Sequence, residues 1–297
     1  MCEFDVVYSN WFDGWGHVMF KLLWQQICRR KVAKCCGTLV NLDFAYRENK
    51  LYKFKLLRSL MLRYIAPLVY SRLFCIDEIA YQLVFGDLVP QNKVVKLLED
   101  PVETPSKLSI EYLRKLLGWK SQDKILLAVG LIDSRKRYDL LCGAFLRLPP
   151  EKNWKLVLAG CFENMREFES LKASSKYGNQ VILENRWLTN EEMVNYISAC
   201  DFMACCYDNP FHNASYLFRA MKANKPCLIS NRGWMKYYGA AHHCGIPVDI
   251  YSSSDFDKPL KRIFHSNPDD CECLSEQSHS HSYFIETIVR ELSSLKP

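Results

Sequence analysis

The chain has 297 residues, 49% hydrophobic and 24% charged, the balance of a soluble globular protein with room for two domains at about 150 residues each. Twelve glycines and twelve prolines are too few for a collagen-like or linker-dominated chain, and no apolar run nears the roughly 18 residues of a membrane span. The net charge of +6 is modest, and Met1-Cys2-Glu3-Phe4-Asp5 lacks the basic start of a signal peptide, which sets aside transmembrane and secreted classes and points to the cytoplasm.

In chain order, Asp5-Val6-Val7-Tyr8 reads as a short strand, 17–30 as an amphipathic helix and 38–42 as a second strand. Between Arg47 and Arg72 lie seven basic residues against one acid, Glu48. Leu51, Phe54, Leu57, Met61 and Ile65 fall among them at helical spacing. Two readings stay open: a helix on an anionic membrane surface through 47–72, or a helix that buries this face and solvates its basic side. Nucleic acid is set aside, since no binding signature accompanies the charge. Leu73-Phe74-Cys75-Ile76 is a further strand, with Asp77 placed to cap the next helix. Val94 to Leu97 closes this part, and the polar, proline-punctuated run 99–105 reads as a linker.

From Lys124 the pattern is regular. Apolar runs at 125–129, 155–159, 181–183, 202–206 and 226–230 alternate with helical spacing at 138–148, 189–197 and 214–223. Thr189 and Glu192 form a capping box. Such alternation implies an α/β domain with a doubly wound parallel sheet. The polar stretch 266–282 reads as a loop before a last helix, 283–295. The fourteen cysteines include no C-x-x-C pair and sit largely in apolar runs, as reduced core thiols.

Ligands of such sheets bind beyond the strands' carboxyl ends, at loops opening into helices. Three loops qualify. Gly130 leads to Asp133-Ser134-Arg135-Lys136-Arg137, three consecutive cations suited to a diphosphate. Tyr207 to Asn213 opens a helix for which Asn213 is the expected N-cap, with Ser215 and Arg219 on one face. Ser230-Asn231-Arg232-Gly233-Trp234 is the third. None carries a dinucleotide fingerprint or a P-loop.

The order of these segments resembles the donor domain of retaining GT-B glycosyltransferases of the family 4 type. The residues that carry the likeness are Ile125 to Gly130, Ser134-Arg135-Lys136, Leu156 to Gly160, 188–192, Ala199-Cys200-Asp201, Arg219-Ala220-Met221 and Lys225 to Ser230. Asp5 to Tyr8, Phe74 to Asp77 and Val94 to Pro101 are similar to the later half of that family's acceptor domain. The resemblance implies two Rossmann-like parallel-sheet domains: a shortened acceptor side, 1–104, and a donor domain with the C-terminal helix, 105–297. It implies a UDP- or GDP-sugar donor, no cofactor and no metal. Lys136 falls where the family places a lysine on the donor diphosphate, with Gly130, Arg135 and Arg137 beside it and Trp187 as a base-stacking candidate. The companion arginine after the strand glycine is here Leu131.

Two departures stand out. The second of the family's paired glutamates falls at Arg219, which cannot accept a hydrogen bond from a ribose hydroxyl. Asp208 and His212 are left as catalytic candidates, and His212-Asn213-Ala214-Ser215 fits a variant of the loop. On the acceptor side a common histidine position reads Asn10, with Asp13 and His17 nearby, and the short N-domain admits completion by a partner subunit. The resemblance therefore implies a hexosyltransferase acting on a glycan or lipid-linked acceptor in surface-polysaccharide synthesis. The alternative is a catalytically inactive relative that binds nucleotide sugar or supports a partner transferase.

Overall fold

The computed structural model describes residues 6–12, 34–39, 42, 45–47, 49–65, 70–86, 94–148, 153–174, 180–208, 214–242, 245–265 and 280–295. Asp13, His17, His212 and Asn213 lie outside the described residues, and Asn10 is described only as part of a strand. The chain forms two compact units, one of 1–101 with 211–213 and 277–297, the other of 102–210 with 214–276. The last helix groups with the first unit.

The first unit carries a parallel sheet of β1 (Val6–Phe12), β2 (Lys34–Leu39), β3 (Arg72–Cys75) and β4 (Val95–Leu97), in that spatial order. Leu73, Phe74 and Cys75 of β3 are fully buried, as expected of a strand covered on both faces. Asp77 caps α2 (Glu78–Phe85): its carboxylate accepts the Ala80 N–H at 2.8 Å, and both its oxygens take the Tyr46 hydroxyl, at 2.9 and 2.6 Å. The basic segment is one helical run, α1 (50–65), wound as 3-10 at Lys50–Phe54, α at Lys55–Leu60 and π at Met61–Ile65. Of the two readings of its apolar spacing, the one that buries this face does not hold. Leu57 and Phe54 are exposed, while Ser59 and Leu62 turn inward. The tight first turn and wide last turn rotate the face away from a uniform 3.6-residue repeat. The final helix, α10 (His281–Ser293), forms the Glu291–Arg72 ion pair at 3.1 Å.

The second unit holds six parallel strands: β5 (Lys124–Val129), β6 (Trp154–Gly160), β7 (Val181–Asn185), β8 (Phe202–Cys205), β9 (Cys227–Ser230) and β10 (Ile246–Val248). Their order is β10-β9-β8-β5-β6-β7, the doubly wound arrangement in which the chain reverses direction between β5 and β8. In such sheets this reversal marks the crevice beyond the carboxyl ends of the two strands where ligands bind. Gly160 has φ 143°, and a Cβ there would meet the Gly130 carbonyl oxygen at 2.0 Å, so the ends of β5 and β6 approach this closely only because residue 160 is glycine. At the other end of the sheet, buried Arg114 of α3 (Ile110–Leu116) bonds the carbonyls of Ala199, Ser121 and Asp123 and pairs with Asp201 at 2.7 Å. Asp201 in turn accepts the Ile125 N–H at 2.7 Å, which fixes the start of β5. Eight of the described cysteines are free thiols, and all but Cys161 are buried, as expected of core residues.

Candidate functional site

The crevice is built from three segments of the second unit. After β5 the chain turns at Gly130, and Asp133 caps the 3-10 turn Ser134–Lys136 by accepting the Arg135 N–H at 3.0 Å. The Asp133 carboxylate also takes the Arg135 guanidinium at 2.6 Å, while Arg137, in the left-handed region at φ 48°, pairs with Asp139 at 3.3 Å. The expected three-cation cluster is therefore unequal: Arg135 and Arg137 each spend charge on a neighbouring carboxylate.

Lys136 differs from both. Only 3% exposed, it lies among the rings of Tyr216, Tyr138 and Tyr207, with its ammonium 4.8, 5.8 and 5.8 Å from their centroids. Among the described residues its sole hydrogen bond is a long one, 3.4 Å, to the Val129 carbonyl. Burial pushes its pKa down from the ordinary 10.5 to about 8, and the Asp133 carboxylate only partly opposes this. Three π faces soften a desolvated cation without neutralising it. Burial also drives the Tyr138 and Tyr207 hydroxyls well above their usual range, so both stay protonated.

After β8, the Tyr207 backbone is pinned by Ser230, whose hydroxyl accepts the Tyr207 N–H at 2.7 Å and donates to its carbonyl at 2.8 Å. Asp208 is exposed; its N–H donates to the Arg135 carbonyl at 2.6 Å, and its carboxylate lies 3.8 Å from Arg232. The helix that follows, α7 (Ser215–Lys222), starts one residue later than expected: Ala214 occupies the N-cap and supplies no side-chain acceptor. Leu217 N–H closes on the Ala214 carbonyl at 2.9 Å, the N–H groups of Ser215 and Tyr216 have no helical acceptor, and the helix dipole adds a partial positive charge there.

Arg219 and Ser215 share a face, as the spacing predicts, and Arg219 donates to the Ser215 hydroxyl at 3.0 Å. The sequence did not foresee that Arg219 also grips Glu103 through two bonds, at 2.6 and 3.1 Å. Glu103 lies in the stretch read as linker, and no local pattern marks it. Tyr216 is the other unforeseen member. A Cβ on Gly130 would meet its hydroxyl at 1.8 Å, so the tyrosine lies directly over the turn that follows β5.

Gly130, Lys136, Asp208, Ser215 and Arg219 thus come together around the β5–β8 reversal. Trp187 does not join them: it is 74% exposed and follows β7, the edge strand. Beside it Arg186 bridges Glu184 at 2.5 Å and Glu192 at 2.7 Å, and the Thr189–Glu192 capping box forms as expected. Among the described residues no His, Cys, Asp and Glu cluster is arranged to hold a metal ion, and no helix is long and apolar enough to cross a membrane.

A family model described as glycosyl transferases group 1 matches residues 109–281. Comparison with curated proteins finds no match. Among solved structures, the chain is similar to HepE from Anabaena in complex with UDP and glucose, at TM-score 0.61 and 15% identity over 98% of this chain and 78% of that one. It is similar to sucrose-phosphate synthase from Thermosynechococcus elongatus at TM-score 0.65 and 15% identity, over 98% and 74%. WaaG, a glycosyltransferase of lipopolysaccharide biosynthesis, gives TM-score 0.52 and 18% identity, over 83% and 73%. These likenesses place the chain in the GT-B fold.

Proposed function

Because the chain belongs to the glycosyl transferases group 1 family, we propose that it transfers a hexose from a UDP- or GDP-sugar to a glycan or lipid-linked acceptor, with retention and without a metal. The observation that supports this reading is Lys136, a buried cation to which no carboxylate among the described residues is bonded, beside the start of α7, where Ala214 supplies no side-chain cap. A diphosphate in the β5–β8 crevice would supply the missing negative charge. In the transfer step the acceptor hydroxyl oxygen bonds to the sugar carbon as the bond from that carbon to the diphosphate oxygen breaks. Charge grows on the leaving oxygen, and the acceptor proton passes to the leaving diphosphate. Lys136 and the first-turn N–H groups of α7 are fixed in advance to receive that charge, in a setting drier than water. The UDP seen with HepE supports a nucleotide-sugar partner.

A second reading, a non-catalytic protein that binds nucleotide sugar, is favoured by two specific contacts. Arg219 is committed to Glu103 instead of offering an acceptor, and the Tyr216 hydroxyl covers Gly130. One experiment separates them. Purified full-length chain is heated with and without UDP-glucose and GDP-mannose, and nucleotide release is followed in parallel. Thermal stabilisation with slow nucleotide release supports the transferase, stabilisation without release supports the binding protein, and neither response defeats both.

A further inference from the structure

Helix α1 turns the usual arrangement of a surface helix outward. Leu56 is 75% exposed, Leu57 59% and Tyr64 64%, and Leu60 joins them on the same side. Spacings of four from Leu56 to Leu60 and from Leu60 to Tyr64, and of three from Leu57 to Leu60, place these four on one strip of the segment. Five cations, Lys50, Lys53, Lys55, Arg58 and Arg63, flank that strip, and no acid occurs anywhere in 50–65. A surface evolved only for water would not present three leucines on consecutive turns.

The helix also walls a shallow cavity of about 400 Å³. Lys53, Lys55, Leu56 and Leu60 line it from α1, with Leu83 and Val84 behind. Ser59, 7% exposed, stands in its wall with a hydroxyl that has no hydrogen-bond partner. Arg63 braces this wall through its bond to the Val84 carbonyl at 3.0 Å. The opening therefore combines an apolar lining with two ammonium groups.

We propose that α1 docks the protein on an anionic phospholipid bilayer. Leu56, Leu57, Leu60 and Tyr64 enter the boundary between headgroups and acyl chains, and a lipid phosphate seats at the cavity between Lys53 and Lys55. Apolar burial and attraction to surface charge act together in such binding, and neither alone accounts for the pattern. A nucleic-acid backbone matches the cations but leaves the leucines in water. The proposal stands apart from sugar transfer and does not depend on it.

The test is sedimentation of the full-length chain with vesicles of phosphatidylcholine, with and without phosphatidylglycerol, at about 50 and about 500 mM salt. Binding is expected only to the anionic vesicles, falling several-fold at the higher salt as screening shortens the reach of the charges. The double change Leu56→Asp and Leu60→Asp, on an exposed face, should lower vesicle affinity about tenfold without moving the thermal midpoint. The pair Lys53→Glu and Lys55→Glu should do the same and serves as the second variant if the first folds poorly. Equal pelleting with both vesicle types, pelleting with neither, or full binding by well-folded variants of both kinds overturns the proposal. So does binding to single-stranded RNA that survives the leucine changes in the absence of vesicle binding.

Discussion

Lys136 couples stability to pH. Its folded pKa of about 8 lies below the ordinary 10.5, so between these values the unfolded chain holds more protons than the folded one. Unfolding free energy therefore rises with pH across that window, and below it the folded state bears the full cost of a buried charge. Lys136→Met should raise stability near neutral pH by up to about 3 kcal/mol and flatten the rise above pH 8, as read by urea titration at several pH values. The same change should abolish stabilisation by UDP. In the parent chain a bound diphosphate would draw the pKa back up, so calorimetry at pH 8.5 in two buffers should show proton uptake on nucleotide binding. No uptake would remove Lys136 from the site.

At the scale of elements, α7 and the turn after β5 decide together how open the crevice is. Tyr216 sits in the first turn of α7 with its hydroxyl over Gly130, so whatever approaches that turn must displace the ring or pack on it. Tyr216→Ala should cost about 2 kcal/mol of stability through lost packing, yet tighten UDP binding about tenfold, equivalent to about 1.4 kcal/mol. Weaker binding would show instead that the ring is part of the ligand platform. These elements also mark how far the chain is legible by itself. The strands of the second unit could be read because each is a short apolar run ended by a glycine or a polar loop, and the Thr189 box and Asp77 cap because their chemistry is local. Lys136 was found by its place after Gly130, although its burial depends on rings from three separate segments. Glu103 was missed because its meaning comes from Arg219, more than a hundred residues later. The apolar spacing in α1 leaves two readings open, and it does not choose between them because a 3-10 turn and a π turn alter the repeat on which such readings depend. Asp13, His17 and His212 lie outside the described residues and remain expectations.

At the scale of the molecule, the two units are assembled from interrupted stretches of chain. The last helix returns to the first unit, where Glu291 meets Arg72 at 3.1 Å. Deleting 281–297 should lower the unfolding midpoint of the first unit and leave that of the second unchanged. Calorimetry of the parent and the shortened chain would resolve this as a shift in one transition of two. Equal shifts in both would show that the units unfold as one.

The buried thiols give the centre of the second sheet a clock of its own. Cys205 on β8, Cys206 just beyond it and Cys227 on β9 are no more than 1% exposed, and burial raises the Cys206 thiol well out of its usual range. A thiol in that state does not react with an alkylating reagent until the strand around it opens. The rate at which each cysteine is modified then counts openings of β8 and β9, and the ratio to a free thiol converts directly into the free energy of opening at that strand. Residues that do no chemistry in the folded state thereby report, strand by strand, how firmly the floor of the crevice is held.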